Sequence, residues 1–410
     1  MARTCLLLLL LLLTAAIADF AVTKQKKYGQ SDPTTVHAVA SANNKFSLSL
    51  YKTLSSQVPE GSLVMSPVSM HLALAIAYHG ARGRTAEQMA AALHLPQDQD
   101  TVKTGFRQLL GSLKSSRSVN LEIANRMYLQ TNFNVLKDFR RVIRKSFGSD
   151  TKEVDFEKNS EKARRIINNW VEKRTSHKII QMIGPGVLNV FTRLVLVNTV
   201  YLKAQWLQPF NSEDTKLEKF HISRNEEVEI PMMHMKTFFG FKHSENLSAK
   251  IVELPYEGET MSMFILLPDD LEGISNLEAG LHAAELASTF RDMQSEELNV
   301  TLPKFKTETS LNLKNNLMEL GMKDMFDRRY ANFSGITGSA ELYVSNVLQK
   351  AFVEVTELGT EAGASSAVIL ESRSWRPPPL EFVVDHPFLF IIWEKRLNTT
   401  LIMGRFSGSQ

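Results

Sequence analysis

Few side chains in this sequence are arranged for catalysis. The ten histidines are scattered without metal-ligand spacing, and the one cysteine, Cys5, lies at the extreme N-terminus. No G-x-S-x-G elbow, H-E-x-x-H pair or P-loop occurs, and Gly184-Pro185-Gly186 starts like a dinucleotide fingerprint but lacks the third glycine. Catalytic triads assemble in space, so a hydrolase is left without support rather than disproved. The unusual chemistry sits in residues 357–379, ELGTEAGASSAVILESRSWRPPP. Small residues lead into the aliphatic triplet Val368-Ile369-Leu370, then Arg373 and Ser374, then three prolines. Taken alone, the stretch reads most simply as an exposed connector with a solvated arginine.

The chain around it is bounded by composition. Arg3, the apolar run Leu6–Leu13 and the small-x-small Ala16-Ile17-Ala18 predict a secretory signal peptide over residues 1–18, cut before Asp19. The mature protein is therefore expected to be secreted and extracellular, with neither disulfide nor free thiol. At 43% hydrophobic residues a large core is available. With 47 basic against 44 acidic residues, nothing suggests a nucleic-acid binder. No later apolar run is long enough to span a bilayer, so no membrane partner is expected. Sequons at Asn246, Asn299, Asn332 and Asn398 are candidate glycosylation sites. Asn299, in an apolar-alternating run, is expected to be the buried one.

Residues 19–37 are polar and lack periodicity, which predicts a loose tail. Helical spacing follows over Asn43–Ser56, Pro67–His79, Thr101–Leu113, Val135–Phe147 and Glu161–Thr175. The period then shortens. Strands are predicted at Leu194–Leu202, Lys250–Leu254, Met261–Leu267, Glu297–Leu302, Leu342–Glu354, Phe382–Val384 and Phe388–Trp393. No linker divides the chain, and the order favours an α+β fold of sheets covered by helices.

Several separated blocks together resemble the serpin family. They are Val64-Met65-Ser66-Pro67-Val68-Ser69, Leu196–Lys203 with Trp206, Glu253-Leu254-Pro255-Tyr256, Leu302-Pro303-Lys304-Phe305, Asp385-His386-Pro387-Phe388 and Met403-Gly404-Arg405. The resemblance implies one domain over 38–410, with three β-sheets, about nine helices and a reactive-centre loop at about 357–380. It assigns the loop's hinge to Glu357, Gly359, Thr360, Glu361, Ala362, Gly363, Ala364, Ser365 and Ser366. At the family's spacing the scissile bond falls between Arg373 and Ser374. Ser66, Ser69, Asn198, Trp206 and Gln349 fall where the family's central sheet opens. Gln349 replaces a frequent histidine, and Leu358 a frequent second glutamate.

The residue types suit that role. A loop that becomes a central strand sends alternate side chains inward, here Thr360, Ala362, Ala364, Ser366, Val368, Leu370 and Ser372. The first four are small enough for a sheet to admit them. No proline interrupts 359–373, so no ladder donor is lost. Arg373 suits a specificity pocket with an acid at its base, and Arg376 is shielded by Pro377. The expectation is a monomeric, non-enzymatic suicide inhibitor of trypsin-like serine proteases in an extracellular cascade such as clotting or innate immunity. The alternative is a non-inhibitory serpin acting as a ligand carrier or chaperone. No cofactor is expected, but Lys137, Arg140, Arg141, Arg144 and Lys145 share a helix face that could take a sulfated polysaccharide such as heparin. A solvated face is the simpler account of them.

Overall fold

The computed structural model describes residues 33–115, 119–360 and 379–408. In chain order the first elements are α1 Pro33–Gln57, β1 Leu63–Met65, α2 Pro67–Gly80, α3 Gly83–Ala92 and α4 Gln99–Ser115. Then come β2 Val119–Gln130, α5 Lys137–Phe147, β3 Asp150–Val154, α6 Phe156–Arg174 and β4 Leu194–Gln205. The middle of the chain forms β5 Lys216–Ser223, β6 Glu226–Ser244, β7 Ala249–Pro255, β8 Met261–Pro268, α7 Ile274–Gly280 and α8 Ala283–Arg291. It continues through β9 Gln294–Pro303, β10 Phe305–Asn312, α9 Lys314–Glu319, α10 Ser334–Thr337 and β11 Asn346–Thr356. The last are β12 Gly359–Thr360, β13 Leu380–Val383, β14 Phe388–Glu394 and β15 Thr399–Phe406.

These strands make a six-stranded sheet, β10-β11-β12-β4-β2-β3, and a nine-stranded one, β1-β15-β14-β8-β7-β6-β9-β13 with β5 beside β6. The larger sheet has two leaves that share the long β6. Its end at Gly240–Ser244 pairs with β7, while Lys216–Ser223 pairs with its start. The three sheets implied by the resemblance are thus one sheet and two leaves.

Between the sheets lies α2. Every residue of it except His79 is buried, which is why its sequence is apolar all round. Pro67 opens it, where a missing N–H costs nothing. Arg405 on β15 is buried and fully engaged. It pairs with Glu278 of α7 at 2.9 Å and donates to the carbonyls of Gly61 (2.9 Å) and Val58 (2.6 Å), while the Tyr51 hydroxyl donates to Glu278 at 2.8 Å. One network thus ties α1, α7 and the last strand together. On the outer face of the six-stranded sheet, α6 covers a second, smaller apolar cluster. It contains Val195, Val197 and Leu348 under Ile167 and Val171.

Two expectations are corrected. Residues 33–37, read as tail, begin α1. Val36, Val39 and Ala40 are buried at helical spacing, and a Cβ on Gly105 of α4 would come within 2.5 Å of Val39. Close helix packing therefore overrides the polar look of the segment. Residues 342–345 are not strand. Leu342 and Val344 are buried, but the Val344 N–H donates to the Met325 carbonyl at 2.9 Å rather than to a ladder.

His71 supplies a test of this packing. Its ring stacks on Phe46 with centroids 5.1 Å apart and donates from Nε2 to the Leu93 carbonyl at 3.0 Å. Burial lowers its pKa from 6.5 to about 3. The folded ring stays neutral while the unfolded one takes up a proton, so stability is full above pH 6.5 and falls as pH drops toward 3. Urea unfolding should show a loss of about 1.4 kcal/mol per pH unit from this residue below 6.5, and His71→Gln should flatten that slope.

Candidate functional site: a hinge in an open seam

The central strands β4 and β11 run parallel and pair from Asn346 with Val195 to Ala351 with Val200. Their mutual ladder stops there. Above it, β12 lies between them, antiparallel to both. Thr360 faces Val355 and Ala204, and Gly359 faces Thr356 and Gln205.

A tight turn delivers β12 into this slot. The Thr356 hydroxyl donates to the Gly359 carbonyl at 3.0 Å. Gly359 has φ of +142°, and a Cβ there would sit 2.2 Å from the Ala204 carbonyl oxygen. Only glycine fits. Thr360 is fully buried and faces inward, its hydroxyl 2.7 Å from the Tyr256 hydroxyl. Burial raises the pKa of that phenol, so it remains neutral. The Tyr256 ring stacks on Trp206 at 4.6 Å and 7°. Trp206 in turn donates from its indole to the Thr356 carbonyl and from its backbone to the Leu358 carbonyl, both at 3.0 Å.

Glu357 anchors the turn. Its carboxylate accepts from Thr215 at 3.0 Å and pairs with Lys304 at 3.0 Å, and its carbonyl accepts from the Phe210 N–H at 2.8 Å. Burial opposes the charge, but the backbone, Lys304 and Thr215 outweigh it and hold the carboxyl below its ordinary range. Thr215, Tyr256 and Lys304 were not singled out as site residues from sequence. Tyr256 and Lys304 stood inside quoted blocks, but only the fold brings them to the hinge.

Lower in the seam, Ser66, Ser69, Asn198 and Gln349 form one buried network, joined by Asn125. The Gln349 amide donates to Asn198 Oδ1 at 2.6 Å and to the Ser66 carbonyl at 2.8 Å, and its oxygen accepts from the Ser66 N–H at 3.1 Å. The Ser69 hydroxyl donates to Asn198 Oδ1 at 2.8 Å, and Asn198 donates to Asn125 at 2.6 Å. Gln349 therefore fills its position with no titratable group. Glu361, Ala362, Gly363, Ala364, Ser365, Ser366, Arg373 and Ser374 lie outside the described residues. The chain next appears in β13, paired with β9 in the other sheet.

The remaining candidates are apart from the seam. Lys137, Arg140, Arg141, Arg144 and Lys145 together line an open cleft of about 530 Å³ on α5. Arg140 pairs with Glu153 (2.6 Å), Arg141 with Asp138 (2.9 Å) and Arg144 with Asp150 (3.1 Å). Asn246 is exposed, while Asn332 and Asn398 are half-buried. Asn299, expected to be buried, is half-buried. It points away from the buried Leu298 and Val300, and its amide donates to Glu381 at 3.0 Å.

Residues 41–408 match the family model described as "Serpin (serine protease inhibitor)". This chain is a serpin. Its relatives include leukocyte elastase inhibitor of Homo sapiens, 37% identical over 90% of this chain and 99% of that one. Another is Iris of Ixodes ricinus, 40% identical over 88% of this chain and 96% of that protein. Among solved structures, Serpin48 of the insect Tenebrio molitor has a TM-score of 0.82 at 33% identity, covering 93% of this chain and all of that one. Human thyroxine-binding globulin, solved in complex with thyroxine, has a TM-score of 0.85 at 25% identity, covering 92% of this chain and 100% of that one. A protein named as an elastase inhibitor and one named as thyroxine-binding are thus both similar to this chain.

The Gln349 network can be tested in this serpin directly. Gln349→Leu leaves the Ser66 N–H buried without its acceptor and removes a donor from Asn198. It should cost about 2–3 kcal/mol in urea unfolding.

Proposed function

We propose that this serpin is a secreted inhibitor of arginine-specific, trypsin-like serine proteases, cleaved between Arg373 and Ser374. The protease serine attacks the Arg373 carbonyl, the amine of Ser374 leaves, and an acyl-enzyme remains. The freed segment then extends β12 downward between β4 and β11. Fourteen residues at ~3.3 Å each would draw the protease roughly 45 Å. A displacement of even ~1 Å in the protease's triad or oxyanion hole removes most of its rate, so deacylation stops.

The observation that carries this reading is β12 itself. The hinge already occupies the top of the slot in strand register, with Thr360 buried and inward. Continuing that register would place Ser366 level with Gln349 and Asn198, so each further small side chain meets the space that the seam opens. Secretion is supported by the leader-like residues 1–18, and the target class by Arg373 alone among the loop's arginines not followed by proline. A carrier or chaperone has no need of an inward-facing small residue at the hinge.

Incubation with trypsin or thrombin followed by denaturing electrophoresis is the test. The expected result is an SDS-stable complex that Arg373→Glu abolishes. Thr360→Arg, which must bury a guanidinium against Tyr256, should keep cleavage at Arg373 and lose the complex. Clean cleavage of the unaltered protein with no complex would overturn the proposal and favour the carrier.

The α5 cleft supports a second, separable proposal, a sulfated-polysaccharide site of heparin type. Five cations line it and no acid does, although three of the arginines also hold carboxylates. Retention on immobilised heparin above ~0.15 M salt is expected, and Lys137→Ala with Lys145→Ala should bring elution down to that level.

A further inference from the structure

A cleft of about 480 Å³ opens near the lower end of β11, where Arg84 of α3, Lys314 of α9 and the chain from Lys323 to Tyr330 meet Tyr343. Four cations line it, Arg84, Lys314, Lys323 and Arg328, against two acids, Asp324 and Asp327. Both acids are already engaged. The buried Asp324 pairs with Arg84 at 3.3 Å, and Asp327 pairs with Arg329 at 2.9 Å. Lys314 leans over the Phe326 ring, 5.8 Å from its centroid. That leaves Lys323 and Arg328, both exposed, with no carboxylate partner among the described residues. The walls of the cleft are aromatic. Phe326 is buried, and Tyr343 is fixed by its hydroxyl, which donates to the Phe191 carbonyl at 2.5 Å. Tyr330 stands 58% exposed, and the Arg329 guanidinium covers one face of its ring, 5.2 Å from the centroid.

The two kinds of group select a ligand together. An unpaired ammonium and guanidinium attract a compact anion, and the guanidinium fork matches two oxygens of a sulfate or phosphate. Tyrosine rings favour a flat partner that stacks offset or edge-on. The α5 cleft offers cations without the rings, so the two clefts suit different ligands. The volume also lies within the ~300–1,000 Å³ usual for small-molecule sites. We propose that this cleft binds an aromatic ring bearing a sulfate or phosphate monoester, the group that a sulfated tyrosine presents. Lys323 and Arg328 take the anion, and Tyr330 lies against the ring. Binding is non-covalent and does not depend on the inhibitory reading, because no residue of the cleft belongs to the hinge or the loop. Two sources carry this chemistry, a free aryl monoester and a modified tyrosine within a protein.

Equilibrium dialysis of the full-length protein against N-acetyl-O-sulfotyrosine amide is the test, with N-acetyltyrosine amide and inorganic sulfate as its two halves. The sulfated compound should bind about tenfold more tightly than either half, the factor carried by one charge-assisted bond. Lys323→Ser with Arg328→Ser should weaken it about tenfold, and Tyr330→Ala about fivefold. All three side chains are exposed, so these variants should unfold in urea at the unaltered midpoint. Lys137→Ala with Lys145→Ala, in the α5 cleft, should leave the affinity unchanged. A sulfotyrosyl peptide that binds more tightly than the amide assigns the site to a protein partner, and equal affinity assigns it to a free aryl monoester. Either result supports the site. It would be overturned by an absence of saturable binding, by inorganic sulfate binding as tightly as the aryl sulfate, or by a loss in the α5 variant in place of the Lys323 and Arg328 variant.

Discussion

Six parallel backbone pairs between β4 and β11 decide what the rest of this serpin can do. They close the middle of the six-stranded sheet while β12 already divides its upper end. A closed ladder with a strand started beside it has two available partners for every backbone group, one in place and one arriving. The surrounding features follow from that. Gln349 and Asn198 lock the pairs from the inner face, Trp206 and Tyr256 hold the hinge at the top, and α6 with the residues that follow it covers the outer face.

Small and neutral groups do this work where larger or charged ones would jam. Gly359 turns where no Cβ fits, and Thr360 is the first residue short enough to lie under the sheet and still find a hydroxyl. The amide of Gln349 both donates and accepts, so it satisfies Ser66 and Asn198 without acquiring a charge that varies with pH. Two ion pairs stand beside these neutral groups. Glu357 with Lys304 fixes the turn, and Lys350, opposite Thr199 in the ladder, pairs with Glu308 of β10.

Elements whose periodicity matched their burial were legible in the sequence. Leu194–Leu202 reads as a continuous apolar strand because β4 is buried on both faces, and Pro67–His79 as a helix because Pro67 marks its start. β5 and β6 escaped, since Glu226–Ser244 is largely polar and half-exposed and shows no clean alternation. The start of α1 was hidden by the polar run around Val36. At the site, the linear hinge was readable from its small residues. Its supports were not, because Thr215, Tyr256 and Lys304 reach Glu357 and Thr360 across 53 to 142 residues of chain.

The loop begins in one sheet at β12 and ends in the other at β13, which pairs with β9 over Leu298–Thr301. An uncut chain therefore cannot complete the insertion without pulling an edge strand out of its ladder. Scission removes that constraint at once, and no rearrangement of side chains can restore it. In the proposed inhibitory mechanism the barrier to premature insertion is thus one of connectivity, and the molecule would behave as a fuse. Each copy would act once, keep a covalent record of having done so, and contribute to control only through the number of copies still intact.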